Sequence, residues 1–230
     1  MTDTLLLIAI LVPCLIVAIV FHEVAHGWTA LALGDPTAKE QRRLSLNPIR
    51  HVDPVGTLIV PGALALFGGP IFGWAKPVPV QFRRLRNPRW GMVAVAAAGP
   101  MTNIVLAWIA AVLLGAIAAF SPGMQGPGME FTAQFFSTFI LINSFLALFN
   151  LLPIPPFDGG HIAQGLLPRS LAHHYAKLQQ YGILVLVVLI AATWAFPNAG
   201  IIETIFYPPL NWMLGQYQDV ATFVAQVLGS

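Results

Sequence analysis

Apolar residues run almost unbroken along this chain, and the few polar interruptions mark out its architecture. Between Thr4 and Leu33 the ionisable side chains are His22, Glu23 and His26. A helix of that length rises about 45 Å, more than the roughly 30 Å of a bilayer's hydrocarbon core. A first span is therefore predicted over 4–33, ended by Gly34-Asp35-Pro36. Further uncharged runs predict spans over 91–120, 131–152 and 179–202. The tail over 204–228, interrupted by Pro208-Pro209, reads as a fifth span or an interfacial helix.

Positive charge gathers in the connections. Lys39, Arg42, Arg43 and Arg50 follow the first span, and Lys76, Arg83, Arg84, Arg86 and Arg89 precede the second. Excess Lys and Arg marks cytoplasmic loops, so both flanks of 55–75 want the same side. That segment holds five glycines and two prolines. A re-entrant or hairpin structure over about 55–82 is expected rather than a span, since irregular backbone at membrane depth needs protein around it. The alternation in Lys76-Pro77-Val78-Pro79-Val80-Gln81-Phe82 suits an edge strand, where proline is tolerated.

Composition supports the membrane reading. The chain is 57% hydrophobic and 9% charged, against about 25% charged in soluble domains. A net charge of +2 is too small to imply a nucleic-acid partner. Cys14 has no second cysteine to pair with and reads as a small buried apolar residue. No repeat or low-complexity linker divides the chain. The expectation is one membrane-embedded domain over 1–230, an all-α polytopic fold of about four to six transmembrane helices.

Chemistry concentrates in Phe21-His22-Glu23-Val24-Ala25-His26-Gly27. Histidines four apart lie on one helix face and can share a cation, with Glu23 beside them to act as a base toward the water that the metal activates. Three ionisable groups inside a span are costly unless something pairs them. Catalytic zinc usually takes three protein ligands, and Asp158 is the candidate for the third. It stands in Asn150-Leu-Leu-Pro-Ile-Pro-Pro-Phe-Asp158-Gly-Gly-His161, where prolines break the third span and glycines let the backbone turn. The first and third spans both end on the inside, which brings Asp158 to the depth of the histidine pair. A turn residue beside glycine is the plainer reading of Asp158 taken alone.

The HEVAH helix followed by NLLPIPPFDGG, together with Gly-Pro-Met-Thr-Asn103 and Gly-Trp-Ala-Lys-Pro-Val-Pro-Val, resembles the site-2 protease family of intramembrane zinc metalloproteases. The resemblance runs from the first span through Ile162. It implies that His22, His26 and Asp158 hold one zinc ion, that Glu23 is general base and acid, and that a three-helix core houses the site on the cytosolic side. It also implies a zinc metalloendopeptidase acting on membrane-spanning protein substrates, as in regulated intramembrane proteolysis, in the lipid bilayer of a prokaryotic cell membrane. No segment reads as a soluble peptide-binding regulatory module.

Asn150, whose counterpart in that family lies near the reacting centre, is the candidate oxyanion donor, with an interhelical hydrogen bond as the alternative. Asn103 is expected to serve packing. His161 could support a ligand or replace Asp158, while His51 and Asp53 read as organisers of a basic loop. His173 and His174 read as a solvated face. A metal transporter or an inactive scaffold would share the histidines, but Glu23 beside them, and the lack of further polar spans, favour the peptidase.

Overall fold

A computed structural model of the chain describes residues 2–60, 66, 75–121, 126–195 and 200–229. It is helical throughout its ordered elements, with no strand among the described residues. Three helices form the centre: α1 (Thr2–Ala32), α2 (Pro88–Phe120) and α3 (Pro127–Asn150). All three are long and apolar enough to cross a membrane, with mean hydropathies of 3.0, 2.3 and 1.6. Shorter helices follow, α4 (Asp158–Leu166), α5 (Arg169–Gln179) and α6 (Gly182–Ala195), before the long α7 (Ile201–Gly229).

Small residues let the helices approach. Ala107, Ala110 and Ala111 of α2 pack with Ile140 of α3 and with Met213 and Tyr217 of α7. A Cβ at Gly115 would stand 2.3 Å from the Ala221 carbonyl oxygen, so α2 and α7 touch there backbone to backbone. Cys14 and Ala18 of α1 are fully buried against Ile142 of α3. Large apolar side chains such as Leu5, Val12, Val105 and Ile109 face outward instead. Close packing by small residues with bulky residues outside is the arrangement expected in lipid, where packing rather than water exclusion holds helices together. The chain is an integral membrane protein.

Within the predicted span 179–202, α6 covers the 14 residues Gly182–Ala195, a rise of about 21 Å. Residues 196–199 lie outside the described ones. The predicted edge strand is absent. Residues 75–81 are extended but pair with no strand, and 82–84 form a 3₁₀ turn. The reason lies in the donors. Pro77 and Pro79 have none, while the N–H groups of Val78 and Gln81 are taken by the carboxylates of Glu23 and Asp35. The rest of the expected hairpin, 61–65 and 67–74, also lies outside the described residues. In the tail, α7 continues through Pro208-Pro209 without a break.

This extended segment is a strap tied across the end of α1. Gly34, at φ 106°, turns the chain, and the fully buried Asp35 accepts hydrogen bonds from Thr37 N (3.0 Å), Thr37 Oγ1 (2.5 Å) and Gln81 N (2.6 Å). Burial pushes the Asp35 carboxyl upward, but these three donors outweigh it and hold the group below its ordinary range. Arg43 fastens the other end, donating to the carbonyls of Arg50, Lys76 (2.6 Å) and Pro77 (3.4 Å). His51 and Asp53 organise the intervening loop as expected. His51 Nε2 bonds the Ser45 carbonyl at 2.7 Å, and Asp53 caps the N–H groups of Val55 and Gly56.

Candidate metal centre

His22 and His26 project from the same face of α1, their ring centroids 4.6 Å apart and their planes nearly perpendicular. The helix that faces them sets their tautomer. His22 Nδ1 lies 2.7 Å from Asn103 Oδ1, and His26 Nδ1 lies 2.7 Å from the Val95 carbonyl. Asn103 donates through Nδ2 to the Ala18 carbonyl (3.1 Å) and to Asn143 Oδ1 (2.8 Å), so its oxygen is the atom turned to His22. A backbone carbonyl can only accept. In the neutral imidazoles both Nδ1 atoms therefore carry the hydrogen, and both Nε2 atoms present a bare lone pair.

Those two Nε2 atoms are 3.0 Å apart. Asp158 Oδ2 lies 3.2 Å from one and 3.3 Å from the other. It is buried and has no hydrogen-bond partner. Asp158 reaches this point because the chain leaves α3 at Asn150, runs through irregular backbone that holds Pro153, Pro155 and Pro156, and restarts a helix at Asp158. Gly159 is required there, since a Cβ would stand 2.3 Å from the carbonyl oxygens of Leu151 and Leu152.

Three acceptors with no hydrogen among them repel one another unless a cation lies between. Tetrahedral zinc with ligand distances near 2.0–2.1 Å would set its donors about 3.3 Å apart, close to the separations found here. Space for the ion comes from Gly99. A Cβ built on it would fall 2.5 Å from His26 Nε2 and 2.6 Å from His22 Nε2. The donor set of His22, His26 and Asp158 thus fits a zinc ion with a coordination position left for substrate or water.

The remaining candidates surround this point unequally. Glu23, Asn150 and His161 line the same cavity of about 390 Å³ as the three donors. Glu23 Oε2 accepts the Val78 N–H at 2.8 Å, so the strap touches the carboxylate directly. Asn150 Nδ2 donates to the Leu146 carbonyl of its own helix at 3.0 Å. His161 Nδ1 is 3.2 Å from Gln179 Nε2 and stands outside the three-donor group. Asn103 does more than pack, because it is the partner that orients His22.

Sequence reasoning passed over Gly99 as part of the cradle and missed Asn143, which is fully buried and bonds Asn103. A second asparagine within the uncharged run 131–152, two turns before Asn150, was the available signal for Asn143. The carbonyl of Val95 left no signal, since any residue offers one.

The chain is similar to known zinc metalloproteases. The family model of peptidase family M50 matches residues 115–193, which take in the Asp158 segment. YwhC of Bacillus subtilis, named as a zinc metalloprotease, is 41% identical over 196 residues, 83% of this chain and 86% of YwhC. Rip2 of Mycolicibacterium smegmatis, named likewise, is 29% identical over 176 residues, 76% of this chain and 64% of Rip2. No solved structure shows significant similarity. The chain belongs to peptidase family M50, the site-2 protease family of zinc metalloproteases.

Proposed function

We propose that this membrane zinc metalloprotease hydrolyses peptide bonds of membrane-spanning proteins near the cytoplasmic side of a prokaryotic cell membrane, as a step of regulated intramembrane proteolysis. His22, His26 and Asp158 are the metal ligands, Glu23 the general base and acid, and Asn150 the donor to the developing oxyanion. The observation that carries the reading is the convergence of three bare donor atoms over Gly99, with a carboxylate from the same helix lining their cavity.

Zinc, when bound, supplies Lewis acidity and lowers the pKa of water. Glu23 takes the proton of the attacking water and returns it to the leaving amine nitrogen, which restores the carboxylate at each turnover. The Val78 N–H holds one carboxylate oxygen and fixes the side chain, leaving the other to receive the proton. Asn150 has one amide hydrogen on the Leu146 carbonyl and a second for a reacting oxygen. The basic loops flanking the ends of α1 and α2 support a cytoplasmic orientation for this end of the bundle.

The test is metal dependence in a defined assay. Purified protein is expected to carry about one zinc per chain and to cut a membrane-anchored reporter in detergent. Chelation should abolish cutting and added zinc should restore it. Cleavage that persists in metal-free protein would sink the proposal.

A substrate helix has its backbone groups already paired, so it must unwind before a carbonyl reaches the site. The strap can offer replacement pairs. Among the described residues nothing bonds the backbone of Val80, which lines the catalytic cavity. Substrate added beside Val80 would gain main-chain hydrogen bonds in the manner of strand addition. Val80→Pro removes that donor and should lower cleavage by about fivefold to tenfold, the worth of roughly one hydrogen bond, while zinc content stays unchanged. Unaltered turnover by a folded Val80→Pro protein would remove strand addition from the account.

A further inference from the structure

A second cavity, about 610 Å³, opens beside the catalytic one. The two share Val80, Met92 and His161 as lining, so they are contiguous through the strap, the start of α2 and α4. The new chamber continues toward α5, where Arg89, Arg169 and His173 line it and, among the described residues, no Asp or Glu does. His173, exposed as its sequence setting suggested, also lines this chamber.

The two guanidinium groups play different parts. Arg89 is fixed, its Nε and Nη2 each donating at 2.7 Å to the carbonyls of Gly165 and Leu167. This ties the start of α2 to the end of α4 and pins a positive charge at the chamber wall. Arg169, at the first position of α5, is exposed and makes no hydrogen bond or ion pair among the described residues. A cavity with two cations, no carboxylate and one uncommitted guanidinium favours an anionic guest, and a planar fork favours a carboxylate.

We infer that this chamber is a substrate subsite that takes an acidic side chain, Asp or Glu, flanking the scissile bond, with Arg169 as its specificity-determining residue. The inference rests on the proteolytic reading of the neighbouring cavity. Continuity with that cavity is what favours substrate over a lipid headgroup: a chain lying across His161 and Val80 passes from one into the other.

The experiment uses full-length, zinc-loaded Glu23→Gln protein, which should bind substrate without consuming it. Membrane-anchored peptides carry a single Glu walked through an uncharged cytoplasmic segment, each with a Gln twin. A narrow window of positions is expected in which the Glu peptide binds about fivefold tighter, the upper range for a solvent-accessible ion pair. Arg169→Ala should erase the window, and Arg169→Glu should transfer the preference to Lys-bearing peptides, both with zinc content unchanged. Equal binding of all twins, or a preference that survives Arg169→Glu, would overturn the assignment. So would saturable displacement of the Glu peptide by phosphatidylglycerol, which would make the chamber a headgroup site. Wild-type cleavage of the Gln series tests the proteolytic reading separately, since it can succeed while the window is absent.

Discussion

Replacing Glu23 by Gln should lower peptide-bond cleavage between about a hundredfold and ten-thousandfold while leaving zinc bound at one per chain. The amide is close in shape and can still accept the Val78 N–H that the Glu23 carboxylate accepts at 2.8 Å, so the strap has no reason to move. The three converging donors belong to His22, His26 and Asp158 and are untouched by the change. What disappears is a group able to take a proton from water and give it to an amine. Rate and metal content should therefore separate. Zinc analysis and single-turnover cleavage of a membrane-anchored reporter measure the two. Persistent cleavage would remove Glu23 as the base, and loss of zinc would make it a ligand.

Much of this centre was legible because its signals are local. An i, i+4 pair of histidines is a face of a helix whatever surrounds it, and three ionisable residues stand out inside an uncharged run. The break that delivers Asp158 announced itself through Pro153, Pro155, Pro156, Gly159 and Gly160. The long spans were legible for the same reason: α1, α2 and α3 begin and end within a few residues of the uncharged runs.

The parts that stayed hidden depend on partners distant in sequence. Helix α5 stayed hidden because Arg169, His173, His174 and Lys177 make its run polar, and it ends at Gln179, where the predicted span begins. Alternation at 76–82 suggested a strand, yet the Val78 and Gln81 donors go to Glu23 and Asp35, carboxylates 55 and 46 residues away. The relay from His22 through Asn103 to Asn143 joins three helices, and each residue alone reads as a polar side chain in search of packing. Its effect is to fix the His22 tautomer, a property of the assembled site.

Gly99→Ala should cost the protein its zinc, and with it all cleavage, while the helix bundle remains folded. Gly99 lies inside α2 opposite the histidine pair. The added Cβ would stand 2.5 Å from His26 Nε2 and 2.6 Å from both His22 Cε1 and His22 Nε2, closer than such atoms can approach. Neither ring can simply swing away, since each is tied by Nδ1, one to Asn103 and the other to Val95. The methyl group would occupy the volume in which the three donors would share an ion. Alanine is favoured over glycine in a helix interior by about 1 kcal/mol, so the substitution does not weaken α2 through its backbone. Zinc per chain should fall to less than about a tenth, the loss expected when a ligand pair can no longer close on the ion. Thermal unfolding of the variant should match that of chelated wild-type protein. Gly215→Ala is the control, because a Cβ there meets nothing within 4 Å and zinc should be retained in full. A folded Gly99→Ala protein that kept one zinc per chain would show that the ion lies elsewhere than over this glycine, and the three-donor centre would have to be abandoned.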